Sequence, residues 1–452
     1  MRMRTDDMAK RITTPHEDVR QRKGIAPATK AQVSGHRFLV RRAELGLLLG
    51  DVRMIHDPLG RLRRAIAFGL SAVGLVALGA GALALFSPNP DPGDARILSS
   101  QRGDLFVRVG EQLHPVTNLT SARLAVEEAA TPVKAGDSVL GSKHIAVPIG
   151  IADAPSIFNN TSDTEPVWQI CTSTPGPTES HSPRTTFLIN HTTPFEQTPQ
   201  LEADEALLAT SHMGDVVVTA ANRRLLPPAE TPEGRSIRRR LGIGFETPRW
   251  HPEADVLAII PEAPQFHLPV GNLELFVADG EYWLKNDSGV VRITSLQKDI
   301  LTDLGWELKT VSKTEMTALP DIDLHIAFPD KPLRWQDSDK AHTCISVSFT
   351  QTDTEPSTSV GITNSAATFA SAVELSGESV ATHFVGGGGA VAVETGAGVH
   401  LISEHGLRHQ LAHNAVLEHL GIQKVRRASW FLLRLLPAGT TLSKEAALTP
   451  LY

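Results

Sequence analysis

Four groups of residues have types and spacings that could do chemistry. His405, His409 and His413 stand at i, i+4 and i+8, which on a helix stacks three imidazoles on one face, with His400 and His419 nearby. Such a set can ligate zinc or copper. No H-E-x-x-H accompanies it, because 405–409 reads HGLRH, so the expectation is a surface face of titrating histidines with no metal assigned. Residues 136–143, GDSVLGSK, approach the phosphate loop G-x-x-x-x-G-K-[ST], but the lysine is displaced by one and His144 stands where Ser or Thr is required. Ser295-Leu-Gln-Lys298 fits S-x-x-K without a K-T-G or S-D-N partner, and its place at a helix start suits Thr294 or Ser295 as a cap. The glycines of 386–389 have no phosphate-binding context and read as a flexible loop. No carboxylate pair or nucleophile–base pair stands out, so neither a catalytic residue nor a cofactor is expected. The fourth group, Cys171 and Cys344, is too small for a disulfide scaffold or a Cys-based zinc finger.

What positions these residues is an asymmetric chain. Residues 1–64 carry 15 Lys and Arg against 7 Asp and Glu, net +8, while the rest nets −15, so the overall −7 of this 452-residue chain conceals two electrostatic halves. Between them, 65–86 (AIAFGLSAVGLVALGAGALALF) holds 22 residues without a charge, amide or proline, which as a helix spans roughly 33 Å and matches a bilayer's hydrocarbon. This predicts one transmembrane helix. A cleaved signal peptide is disfavoured by the length of the run and by the 64 residues before it. Arg61, Arg63 and Arg64 flank its start and SPNPDPGD follows its end, so the positive-inside rule places the N-terminus in the cytoplasm and 87–452 outside. Both cysteines then lie where disulfides form. A single long-range bridge is the natural reading, and two buried thiols remain the alternative.

Residues 1–31 lack apolar periodicity and are expected to be a disordered cytoplasmic tail. Residues 32–64 read as a basic amphipathic helix beside the membrane, with Phe38, Leu39, Arg41 and Arg42 in the pattern and Gly50 and Pro58 as punctuation. Such a segment suits the lipid surface or a cytoplasmic partner. The span covers 65–86, a linker 87–97, and an extracytoplasmic repeat domain 98–452. Nucleic acid is not an expected partner.

Within that domain, 105–124 (LFVRVGEQLHPVTNLTSARL) and 282–301 (YWLKNDSGVVRITSLQKDIL) share an order of strand, Gly-containing turn, strand and helix, with weaker copies at 212–243 and 390–422. Cys171 and Cys344 follow the first and third copies at similar distances, with Trp168 and Trp335 shortly before them. The expected fold class is therefore α+β: one transmembrane helix and an elongated, pseudo-twofold external domain of four small repeats around a central part. Their spacing is too irregular for a solenoid.

The stretch 32–42 (QVSGHRFLVRR), then 50–59 (GDVRMIHDPL), the membrane run and 105–124 closely resemble EccB, a core membrane component of the actinobacterial type VII (ESX) secretion system. The resemblance continues through Trp168-Gln-Ile-Cys171, the Cys344 segment and 435–448 (LLPAGTTLSKEAAL). It implies that Cys171 and Cys344 form a central disulfide, that Phe38, Leu39, Arg41, Arg42, Arg53 and Pro58 pack against partner subunits, and that the partners are an EccC-like motor ATPase and EccD- and EccE-like membrane subunits, together with self-association. The second copy departs from the family pattern at Pro227, Pro228, Arg238, Arg239 and Arg240. Some family members carry an ATPase label, which no motif here supports. The expected function is a structural subunit of the secretion complex; the runner-up is a membrane-anchored cell-wall binder or wall-polymer enzyme.

Overall fold

A computed structural model describes residues 28–50, 58–86, 91–159, 166–173, 185–191, 198–267, 269, 271–324, 326, 328–339, 341–349, 355–364, 369, 371–386 and 388–452. Arg53 and most of the expected tail lie outside the described residues. Two units separate, 1–88 and 89–452. In the first, α1 (Lys30–Leu49) begins with a capping box: the Gln32 N–H donates to the Thr29 hydroxyl and the Thr29 N–H donates to the Gln32 side chain. It ends at Gly50, whose φ of 68° lies in the left-handed region that terminates helices. A second helix, α2 (Pro58–Phe86), opens on a proline, which suits a first turn. Among the described residues α2 is the one helix long and apolar enough to cross a membrane, over Arg61–Leu83. The expected helix over 32–64 is thus two pieces, because Gly50 ends the first and Arg61, Arg63 and Arg64 already belong to α2.

The second unit contains four small modules. Module 1 is β1 (Ile97–Ser99), β2 (Leu105–Val109), β3 (Gln112–Val116), α3 (Leu119–Val126) and β4 (Val133–Lys134), followed by the one-turn α4 (Asp137–Gly141). After β5 (Val167–Ser173) and β6 (Thr185–His191) comes module 2: β7 (Glu205–Ser211), β8 (Gly214–Val218), β9 (Arg223–Leu225), α5 (Pro232–Arg240) and β10 (Arg249–Trp250), then α6 (Ala254–Leu257). Module 3 is β11 (Glu274–Ala278), β12 (Glu281–Asn286), β13 (Gly289–Ile293), α7 (Ser295–Asp303) and β14 (Leu308–Thr310), then α8 (Lys313–Thr317). The chain continues through β15 (Arg334–Trp335), β16 (His342–Ser348), β17 (Ser357–Thr363), β18 (Val373–Glu374) and β19 (His383–Val385). Module 4 is β20 (Val391–Thr395), β21 (Gly398–Ile402), β22 (Arg408–Gln410), α9 (Ala415–Leu420) and β23 (Arg426–Arg427), before α10 (Trp430–Leu433) and α11 (Lys444–Ala447).

All four modules share one connectivity. The strand order is third, second, first, fourth, with the fourth strand parallel to the first. The sequence pattern captured the middle hairpin and the helix of modules 1 and 3 but missed a strand on either side. Module 2 forms despite its prolines and basic run: Thr231 caps α5, and Arg238 donates to Pro227 O at 2.6 Å while reaching Asp215 at 3.3 Å.

β5, β6 and β16–β19 make a six-stranded sheet in the order β17-β16-β5-β6-β19-β18. Within it β5 pairs antiparallel with β16, where Ile170 faces Ile345, Cys171 faces Cys344 and Thr172 faces Thr343. Alternation divides the sheet. Trp168, Ile170, Leu188, Ile345 and Val347 enter one core with residues of modules 2 and 4, while Cys171, Ile189 and Cys344 lie in a separate small cluster.

The same period of two explains how modules join. On β7, Leu207 and Ala209 belong to the central core, and Ala206 and Leu208 belong to a core shared with module 3. On β20, Val391 and Val393 join the central core, whereas the flanking Ala390 and Ala392 join a core shared with module 1. A strand buried on both faces needs a continuous apolar run, and Ala206, Leu207, Leu208 and Ala209 are all fully buried. Modules 1 and 3 instead close one face with satellite clusters containing Leu140 of α4 and Met316 of α8. Cores this thin need few aromatic residues.

Candidate functional site

The residues with chemical potential take structural positions. His405, His409 and His413 do not share a helix: His405 lies in the turn before β22, His409 on β22 and His413 in the turn before α9. The expected exposed imidazole face is therefore corrected, because the 408–410 segment pairs as a strand with β21. His409 is fully buried, its Nδ1 donating to Thr440 O at 2.9 Å, and a Cβ on Gly439 would stand 2.4 Å from its ring. His400 is also buried, stacked on Trp430 at 5.2 Å between ring centroids, with the Arg408 guanidinium 4.8 Å from the same ring. Burial first, then the Arg408 charge, holds its pKa below the ordinary histidine value. Among the described residues no group of three or more His, Cys, Asp and Glu could hold a metal ion.

The glycine motifs resolve likewise. Gly136 is the N-cap of α4, which follows a two-residue strand and lasts one turn, unlike the long helix that a phosphate loop requires. Thr294 caps α7 in a capping box with Gln297, as its position suggested. In 386–389, expected as a flexible loop, glycine is required for packing: a Cβ on Gly386 would stand 2.7 Å from the Phe384 ring, and one on Gly389 3.1 Å from the Asn159 nitrogen.

Cys171 and Cys344 form a disulfide across the β5–β16 pair, with Cα atoms 4.1 Å apart and a sequence separation of 173. Being opposed in register, they need no loop rearrangement to meet. Trp168 and Trp335 are not counterparts: Trp168 lies on β5 within the central core, and Trp335 lies on β15 beside β7, its Nε1 donating to Leu241 O at 2.8 Å. Arg334, next to it, meets Glu202, Asp204 and Glu205 of the module 2 approach. This hub, made by a segment 130 residues away, gave no local sequence signal.

Of the expected partner contacts, Phe38, Leu39, Arg41 and Arg42 lie on α1, with Phe38 and Leu39 at 51% and 62% exposure. Phe38, Arg41, Arg42 and Leu45 fall on one helical face by their spacing. Pro58 is the first residue of α2. Phe68 and Leu78 of α2 are 76% and 73% exposed, and a continuous apolar cylinder of this kind is stable only against lipid or protein. A further feature had no sequence signal: a cleft of about 660 Å³ between modules 2 and 3, lined by Arg224, Phe266, Val291, Gln297, Ile326 and Phe328 among others.

These features define a class: a modular α+β protein with a disulfide at the centre of its folded part and one helix of membrane length before it. The chain belongs to the EccB family of type VII secretion proteins, since the family model described as "Type VII secretion system ESX-1, transport TM domain B" matches residues 25–272 and 263–451. It is 27% identical over 464 residues to the "ESX-1 secretion system ATPase EccB1" of Mycobacterium tuberculosis (strain ATCC 25618 / H37Rv), covering 94% of this chain and 95% of that one. It is 30% identical over 359 residues to the "ESX-5 secretion system ATPase EccB5" of Mycobacterium marinum (strain ATCC BAA-535 / M), covering 71% and 69%. Among solved structures, a chain of an intact ESX-5 inner membrane complex matches with a TM-score of 0.68 at 24% identity, over 94% of this chain and 96% of that one. The EccB3 dimer from the ESX-3 core complex matches with a TM-score of 0.65 at 21% identity, over 78% and 100%. Both likenesses concern the fold.

Proposed function

We propose that this protein is a structural, non-catalytic subunit of a type VII secretion membrane complex. The observation that carries this reading is the family match through both halves of a chain whose one membrane-length helix among the described residues is not buried against the rest of the protein. On this reading α2 is a single-pass anchor in the cell membrane, oriented by Arg61, Arg63 and Arg64 with α1 in the cytoplasm. The unit from 89 onward is extracytoplasmic, where the Cys171–Cys344 disulfide persists. Its four modules act as repeats in a pseudo-twofold arrangement around the central sheet, and it self-associates with further copies.

Phe38, Leu39, Arg41, Arg42, Arg53 and Pro58 would contact partner subunits, an EccC-like motor ATPase and EccD- and EccE-like membrane proteins. Several relatives are named ATPases. The motif that comes nearest to a phosphate loop here leads into a single helical turn, which supports a scaffold over a nucleotide hydrolase. The test is co-purification of the motor ATPase with the full chain from native membranes, repeated with Phe38→Ser and Leu39→Ser combined. Loss of the ATPase with the variant retained in the membrane supports the reading; undiminished recovery contradicts the assignment of α1.

A further inference from the structure

The two module pairs are built alike, yet one is filled by the chain itself and the other is open. Val290 bridges to Asp321 in module 3 as Leu113 bridges to Ile145 in module 1, so the segments beginning at Asp321 and Ile145 correspond. Arg223 bridges to Glu262 in module 2 as Arg408 bridges to Ala438 in module 4. The following bonds match too: Ala263 and Gly439 donate to Arg223 O and Arg408 O, and Phe266 and Leu442 donate to Leu225 O and Gln410 O.

After Leu442 the chain enters α11, which packs on α3, and Ala447 is buried in the core shared by modules 1 and 4. The tail then continues along the segment that starts at Ile145. The Gly150 N–H donates to Thr449 O at 3.2 Å, and the Leu451 N–H donates to Pro148 O at 3.1 Å. After Phe266 the chain instead leaves for module 3, and among the described residues no helix corresponds to α11. What lies in the corresponding place is the cleft of about 660 Å³, within the size range of a ligand site. Leu324 and Ile326 line it at the positions of Pro148 and Gly150, and the Leu324 C=O and Ile326 N–H have no hydrogen-bond partner among the described residues.

Side chains add an anchor. In modules 2 and 3, Arg223, Arg238, Arg240, Arg249 and Arg292 each meet a carboxylate. Arg224 lines the cleft half-buried and meets the Phe266 ring at 5.0 Å, its guanidinium having no hydrogen bond or ion pair among the described residues. A guanidinium fork left open beside unpaired backbone groups, in a cleft whose lining mixes Phe266, Ile326 and Phe328 with Gln297, Asp323 and Asp330, is suited to a carbonyl or carboxylate.

We infer that the cleft between modules 2 and 3 is a docking groove for a short polypeptide segment of a partner chain. The segment has the chemistry of this chain's own tail: a small, aliphatic turn that runs into an extended strand beside Leu324 and Ile326 and presents a carbonyl or carboxylate oxygen to Arg224. Strand addition of this kind draws affinity from the main chain and specificity from the side chains that line the cleft.

The probe is a fluorescein-labelled peptide of residues 443–452, SKEAALTPLY, carrying photo-leucine at the Leu448 position and added to the full-length protein in detergent. Saturable anisotropy is expected, weakened roughly tenfold by Arg224→Gln, with crosslinks mapping to 323–333. Ile326→Pro, which removes the donor N–H of this segment together with the Ile326 side chain that lines the cleft, is expected to weaken binding at least as much. Absence of binding, equal affinity for wild type and Arg224→Gln, or crosslinks confined to 147–150 through exchange with the chain's own tail would each overturn the inference. Unchanged amide protection in modules 2 and 3 of both variants establishes that the loss is not unfolding.

Discussion

Replacing both Cys171 and Cys344 by Ala tests how the two halves of the folded unit are held together. The bond closes a loop of 173 residues, and loop entropy alone for that length stabilises the folded chain by about 5 kcal/mol. Measured bridges more often contribute about 2–4 kcal/mol because the denatured chain retains structure. The bond joins two neighbouring interior strands of the central sheet, so the loss should concentrate on separation of β5 from β16. Modules 1 and 3 have cores of their own, shared with modules 4 and 2. Amide hydrogen exchange on the full chain in detergent reads this directly. Protection at Ile170 and Ile345 should fall roughly 30- to 1,000-fold, the equivalent of about 2–4 kcal/mol, while α3 and α7 change far less. Unchanged protection at the central strands, or equal loss in all modules, would refute the reasoning that the disulfide clasps the halves.

Other consequences follow from particular contacts. A Cβ on Gly234 would lie 1.9 Å from Pro228 O, so Gly234→Ala should destabilise module 2 by about 1–3 kcal/mol, seen as lost exchange protection in α5 and not in α3. Arg240 and Asp303 tie α5 to α7 with contacts of 2.8 and 2.6 Å, and the Arg240 hydrogen bond lowers the Asp303 pKa. Arg240→Met should cost about 1 kcal/mol at neutral pH, and the difference from wild type should vanish as acid protonates Asp303 below its ordinary range. His342 and His400 both have pKa values lowered by burial, so the unfolded chain takes up their protons first. Their contribution is complete above about pH 6.5 and falls as pH drops from there toward the folded values, by up to about 1.4 kcal/mol per unit for each histidine. His400→Gln should flatten urea midpoints measured across that window.

The parts legible in the sequence were those carried by long or strongly patterned segments. The uncharged run of 65–86 needed no tertiary information, and the hairpins at 105–116 and 282–293 read clearly because each strand has five or six residues and a polar, Gly-containing turn. The closing strands of modules 1, 2 and 4 were illegible for a physical reason: β4, β10 and β23 have two residues each, too few to express a period of two. The histidines misled because HGLRHQLAH has helical spacing by coincidence, while pairing with β21 and the close approach of Gly439 place His409 on a buried strand. The cleft was beyond reach, since Arg224, Phe266 and Ile326 meet only through the packing of two modules.

The central claim is that the protein is a structural member of a secretion membrane complex, and the mass and composition of its native particle test it most directly. Extraction of native membranes in mild detergent should place the full chain in a large multi-subunit particle with the motor ATPase, and deletion of the chain should abolish that particle. A chain that migrates alone while the remaining subunits assemble without it would contradict the account.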